Sequence, residues 1–304
     1  MAMNQTIPAP QSRDSLHGFA YALTAYILWG FLPLYMKAVA HVSPFEVIAH
    51  RVIWSVPIAA CVLIALGRTA EVKQALTSPR MLAMACLTAT LISLNWGVYI
   101  WAIGSGHALD AALGYFINPL FSIFMGAVLL KEKLSRIQLA AISLVVLAVA
   151  LLTWHAGTVP WVAIALTVSW GFYAFFRKTL PIGPTQGFLL EVLLLSPIAL
   201  AYILYLGLSG QAHFLSESTV DTWLLAASGI VTATPLIFYG NGAKLLKLST
   251  IGIMQYIAPS IIFIIAIFVF KEQFDTVRLI AFIMIWSALV IYTAPSLMRN
   301  KVAK

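Results

Sequence analysis

The chain has 304 residues, 62% of them hydrophobic and only 9% charged, with a formal net charge of +8 and a mean hydropathy of +0.95. A soluble domain of this length needs charged residues at roughly a quarter of its positions to coat its surface, which excludes a water-soluble globular protein. Continuous apolar runs of about 20 residues are what a bilayer core demands, so the sequence reads as an all-α integral membrane protein.

Windows of that length place ten candidate spans at about 18–38, 46–66, 81–103, 110–130, 137–154, 159–178, 187–207, 222–243, 250–270 and 278–295. The first is too long and too aromatic for a signal-peptide core, has no small-residue cleavage site and is followed by further spans, so it is expected to stay in the mature protein. The windows are apolar on every face, where barrel strands would alternate, and helices satisfy their own backbone within the span. Cys61 and Cys86 both fall in apolar windows, and the histidines have no paired ligand spacing. Neither a disulfide framework nor a metal site is expected. With the N-terminus inside, fourteen of the 18 Lys and Arg residues, from Arg13 and Arg68 to Lys301 and Lys304, fall on the cytoplasmic side. Four fall on the other, namely Lys37, Arg51, Lys271 and Arg278. That bias puts both termini in the cytoplasm and accounts for the positive charge without a nucleic-acid partner.

The segment ILWGFLPLYMK (27–37) returns as VSWGFYAFFRK (168–178), with Trp29 matching Trp170 and Lys37 matching Lys178 at an offset of 141. FINPLFSIFMGAVLLKEKLS (116–135) matches YIAPSIIFIIAIFVFKEQFD (256–275) at an offset of 140, pairing Pro119 with Pro259 and Lys131-Glu132 with Lys271-Glu272. Pro57 and Pro197 share that offset. A repeat of this length marks a duplicated structural unit. Each copy holds five spans, and an odd number inverts the second copy about an axis in the membrane plane. The expected organisation is a cytoplasmic tail (1–15), a first five-helix repeat (16–155), a second (156–297) and a C-terminal tail (298–304).

Ten spans in two five-helix repeats, AYILWGFLPLYMK, HRVIWS (50–55), GYFINPL (114–120) and the Lys-Glu ends of the fourth and ninth spans resemble the drug/metabolite transporter superfamily. Within it the chain is similar to the RarD-like branch of the EamA group, over essentially residues 15–297. The resemblance implies a bacterial inner-membrane carrier, often an exporter of amino acids or other small metabolites, with some relatives handling amphiphilic drugs. Small four-helix relatives carry an essential glutamate in their first helix. The first and sixth spans here have none, so their proton exchange does not carry over by position.

Trp29 and Trp170 lie near mid-span, about 15 Å from either edge of the core, and either pack helices together or line a cavity. Interfacial placement accounts for Trp161, Tyr202, Tyr205 and Trp223, while Trp101 and Tyr99 fit either location. Pro33, Pro119 and Pro259 each remove a backbone hydrogen bond, producing a static kink or a hinge. Tyr239, Asn241 and Gly242 fall within one turn of the eighth span, and Asn95 with Tyr99 on one face of the third. These polar groups either recognise substrate or bond helix to helix. Arg51 and Glu191 are equivalent at the 140 offset, and ionisable groups inside a membrane carry weight. They either contact substrate directly or, the favoured reading, form gate or structural ion pairs, Arg51 with Glu46 or Asp110, and Glu191 with Arg177 or Lys178.

The sequence has no HExxH, CxxC, GxSxG or glycine-rich phosphate loop, which argues against an enzyme and against a cofactor. A five-plus-five repeat suits alternating access better than a fixed channel filter. Trp29, Asn95, Tyr99, Trp101, Trp170, Tyr239 and Asn241 are the candidate substrate contacts, for a small zwitterion with an apolar or aromatic side chain.

Overall fold

The computed structural model describes residues 15–129, 136–179, 182–216, 218–246 and 254–302, and eleven α-helices and no strand occur among them. In chain order these are α1 (Leu16–Ala38), α2 (Pro44–Ala65), a short α3 (Ala70–Leu76), α4 (Pro79–Gly104), α5 (Ala108–Leu129) and α6 (Arg136–Ala156). They continue with α7 (Trp161–Thr179), α8 (Pro184–Leu208), α9 (Thr219–Leu245), α10 (Ile257–Ile264), which runs on as a π-helical turn over Ile265–Val269, and α11 (Thr276–Val302). Each expected span overlaps one of these helices, the ninth only in part. α3, with the sequence AEVKQAL, is the addition, too short and too charged to register as an apolar window. Residues 247–253, which include the expected start of the ninth span, and the Lys131-Glu132 pair lie outside the described residues.

Three helices open with proline at the first position, at Pro44, Pro79 and Pro184, where the missing N–H costs nothing and the fixed φ suits the helix. Among the described residues six helices are long and apolar enough to cross a membrane: α1, α2, α4, α6 from Leu139, α8 from Thr185, and α9 as far as Gly242. Their faces are arranged for lipid. Phe31, Leu94, Leu147, Ile198 and Ile230 are more than half exposed, while Glu46, Arg51, Thr88, Asn95, Glu191 and Thr232 are buried. In water that distribution would expose apolar surface and bury charge; in a bilayer it does the opposite of harm, because polar groups must find partners inside. The chain is a multi-pass membrane protein.

Helices of the first half pack chiefly on helices of the second: α1 on α9 and α10, α2 on α8 and α9, α4 on α7 and α8, α5 on α7 and α10, and α6 on α11. Exchanging repeat-equivalent helices converts α1–α9 into α7–α4, α2–α9 into α8–α4 and α1–α10 into α7–α5. The same exchange returns α2–α8, α5–α10 and α6–α11 to themselves. Two close glycine contacts obey this exchange too. A Cβ at Gly30 of α1 would lie 2.7 Å from Ile261 of α10, and one at Gly171 of α7 would run into the ring of Phe121 in α5. Gly30 and Gly171 are repeat equivalents, as are Phe121 and Ile261.

One end of the bundle is tied together by its turns. Asp221 pairs with His41 at 2.9 Å, His107 with Asp110 at 3.1 Å and His155 with Asp275 at 3.2 Å. The buried Glu46 accepts from the His213 backbone N–H at 2.7 Å and meets its Nδ1 at 2.8 Å. Lys271, the lysine of the second Lys-Glu pair, sits at φ +58. This left-handed residue ends the π turn, and the Glu272 N–H then donates back to the Ala266 carbonyl at 3.0 Å. So turned, the Glu272 carboxylate accepts from the Ala108 and Leu109 N–H groups at 2.7 and 2.9 Å, two of the four orphan donors at the start of α5. Partial burial raises the Glu272 pKa from its ordinary value, and the two N–H bonds oppose that shift.

Candidate aromatic and arginine site

Tyr26 and Trp29 are three residues apart on α1, Trp170 and Tyr173 three apart on α7, and i, i+3 spacing puts each pair on one helix face. α1 packs directly on α9, and the rings of α1 and α7 reach one another from their two faces. Ring centroids are 6.4 Å apart for Trp29 and Trp170, at an interplanar angle of 81°, and 5.4 Å apart for Trp29 and Tyr239. Tyr26 stands 5.7 Å from Trp29 and 6.0 Å from Tyr239, and Tyr173 5.6 Å from Trp170. Edge-to-face and tilted pairs of this kind match the ring quadrupoles. The repeated Trp-Gly-Phe therefore supplies one indole from each half to a shared cluster, and both indoles remain partly accessible. Pro33 lies one turn further along α1, buried, and its missing N–H frees the carbonyl of Trp29.

Behind this cluster stands a buried polar group. The Arg51 guanidinium lies 4.4 Å over the Trp96 ring, and its Nε donates to Thr232 Oγ1 of α9 at 2.9 Å. Trp96 belongs to the same packed cluster as Trp170 and Tyr173, which links the two groups. The uncharged phenols of Tyr35, Tyr99 and Tyr115 lie near Arg51. The expected pairing of Arg51 with Glu46 or Asp110 is not what the structure has, because His213 takes Glu46 and His107 takes Asp110. Glu191 accepts a hydrogen bond from the Tyr173 hydroxyl at 3.2 Å. The side chains of Arg177 and Lys178, its expected partners, lie outside the described residues.

Not every candidate joins. Asn95 is buried and donates to the Leu166 carbonyl at 3.1 Å and to Ser169 Oγ at 2.9 Å, while accepting from Tyr115 at 3.4 Å. It pins α4 to α7 beside the Arg51 group. Tyr99 is buried there as well, its ring 5.7 Å from Tyr115. Asn241 spends its amide on the Ile237 carbonyl one turn back. Trp101 stacks on His107 and tilts against Trp161 at the tied end, as an interfacial residue does. Pro119 lies inside α5. Pro259 falls in the first turn of α10, where a proline removes no intrahelical bond. The irregularity in that segment is the π turn at Ile265–Val269. Tyr26, Tyr173, Trp96, Tyr115 and Thr232 were not singled out by sequence. For Tyr26 and Tyr173 the i, i+3 spacing from the two tryptophans was the available signal.

Among the described residues no group of three or more His, Cys, Asp or Glu is placed to hold a metal ion. A separate apolar groove of about 510 Å³ opens between α5, α10 and α11, lined by Phe116, Phe263, Ile264 and Trp286 among others. None of its lining residues belongs to the Trp29–Trp170 cluster, and it offers few polar groups to orient a ligand.

A lipid-embedded helical bundle whose interior gathers indoles, phenols and a guanidinium from both halves has the make-up of a membrane carrier for small molecules. Residues 16–154 match the EamA-like transporter family. An uncharacterized transporter of Vibrio cholerae is 39% identical over 97% of this chain and 98% of its own length. Protein RarD of Streptomyces exfoliatus is 39% identical over 91% and 88%, and the chloramphenicol-sensitive protein RarD of Pseudomonas aeruginosa 29% identical over 92% and 94%. A protein of known crystal structure shares the fold with a TM-score of 0.61 over 91% of this chain and 97% of its own, at 19% identity. The chain belongs to the EamA-like transporters of the drug/metabolite transporter superfamily, as a RarD-like permease. It is a transporter, and its partners are a small-molecule substrate and the lipid bilayer.

Proposed function

We propose that this permease exports small metabolites, foremost amino acids with apolar or aromatic side chains, by alternating access. Ten transmembrane helices in two inverted five-helix repeats, 16–155 and 156–297, form the pathway in the bacterial inner membrane, with both termini cytoplasmic. The observation that carries this proposal is the Trp29–Trp170 contact: the same motif, one copy per half, supplies both walls of one cluster. The exchange of α1–α9 with α7–α4, and of Gly30–Ile261 with Gly171–Phe121, supports inversion. The tied turns would form the closed outer gate, leaving the cluster to open inward.

A second proposal, efflux of amphiphilic drugs, is favoured by the apolar groove and by the name of the Pseudomonas relative. The deciding experiment uses pure protein in liposomes loaded with labelled phenylalanine, leucine, serine or chloramphenicol, with and without a pH gradient. Protein-dependent efflux of phenylalanine and leucine ahead of serine is expected. Efflux of the drug with none of the amino acids would replace the first proposal by the second.

A further inference from the structure

We propose that Arg51 is the anchor for a carboxylate on the transported molecule, in a buried subsite completed by Tyr99. Arg51 is 3% exposed, and its Nη1 has no hydrogen-bond partner among the described residues. The contacts it does make, Thr232 and the Trp96 face, are uncharged. The acidic residues whose side chains are described are engaged elsewhere: Glu46 with His213, Asp110 with His107, Asp221 with His41, Asp275 with His155, Glu191 with Tyr173 and Glu272 with the start of α5. A guanidinium withdrawn from water without an anion is held at a cost, and its planar fork is shaped for two parallel bonds to a carboxylate. Tyr99 adds a hydroxyl that is also buried and without a partner among the described residues.

The location fits the ligand as well as the charge does. Trp96 packs with Trp170 and Tyr173, so a molecule holding its carboxylate at Arg51 can turn an apolar side chain toward the Trp29–Trp170 pair. This deepens the amino-acid reading above and rests on it for the side-chain half of the site. The anchor itself requires only the carboxylate.

The test measures the melting temperature of the purified protein in detergent against increasing L-phenylalanine, L-phenylalaninamide and phenylacetate. The two carboxylates are expected to stabilise the wild type, and the amide to require at least tenfold higher concentration. Arg51→Met should weaken the response to both carboxylates at least tenfold while folding without them, since a buried unpaired charge is replaced by an apolar chain of similar length. Tyr99→Phe, which deletes a hydroxyl that bonds nothing described, should weaken it several-fold and serves if Arg51→Met does not fold. An amide as effective as the acid would overturn the anchor and leave the aromatic reading standing. Phenylacetate acting without phenylalanine would keep the anchor and overturn the amino-acid reading. A wild type indifferent to every carboxylate, or an Arg51→Met protein that responds like wild type, would overturn the proposal.

Discussion

Trp29 and Trp170 touch each other, so truncating either indole also removes half of its partner's surroundings. Alanine at either position is expected to reduce flux of aromatic substrates about five- to tenfold, the equivalent of roughly 1 kcal/mol of ring contact, with a smaller effect on serine. Liposome flux at matched protein amounts measures this, and an equal loss for every substrate would make the indoles packing residues only. Glu191 accepts from Tyr173 next to the same cluster. Glu191→Gln keeps an acceptor there, and downhill flux with an unchanged pH profile is expected. A proton-driven accumulation that disappears in this variant would assign Glu191 to coupling instead. The tryptophans were legible because duplication marks them twice. Asn241 and Trp101 were not, because spacing along a helix does not say whether an amide will turn back on its own carbonyl or an indole will face the headgroups. Arg51 was visible as an intramembrane charge, but its partners come from α4 and α9, over 40 and 180 residues away in sequence, beyond any local pattern.

Helix ends carry features that the apolar windows do not contain. Lys271 occupies a left-handed conformation that costs a side-chain-bearing residue roughly 1 kcal/mol. Lys271→Gly is therefore expected to stabilise the protein by about 0.5 to 1 kcal/mol, part of the gain being lost to a freer unfolded chain, as read from thermal melting in detergent. Asp275 caps α11, accepting from the Arg278 N–H at 2.8 Å. That bond, followed by the contact with His155, holds its pKa below the ordinary 3.8. A lowered carboxylate pKa means the cap's contribution is complete above the unfolded value and is lost as pH falls through the folded one. Between pH 5 and 3, Asp275→Asn should consequently show a flatter decline in melting temperature than wild type; parallel declines would deny the capping role. Helix positions followed from hydrophobicity, since a bilayer imposes length and apolarity together. The short α3 and the π turn did not, because one is charged and the other differs from an α-helix by a single displaced hydrogen bond per turn.

At the scale of the molecule, inversion makes a sharp claim about sides. In a variant with Cys61 and Cys86 replaced by serine, single cysteines at Ser135 and at Thr276 should react with an impermeant thiol reagent from opposite faces of the membrane. Labelling from the same face would end the inverted-repeat proposal. The glycine contacts bear on how such a chain is made. Gly30 receives Ile261, and Gly171 receives Phe121, so each copy carries the notch that the other copy's bulk fills. When the ribosome has delivered only the first half, the groove at Gly30 has no occupant and Phe121 has no notch, and the matching surfaces face lipid until α7 and α10 arrive. The boundary proposed near residue 155 thus divides two stretches of related sequence whose packing surfaces complete each other. A gene fragment ending there would encode helices able to insert but missing the surfaces they were shaped to meet.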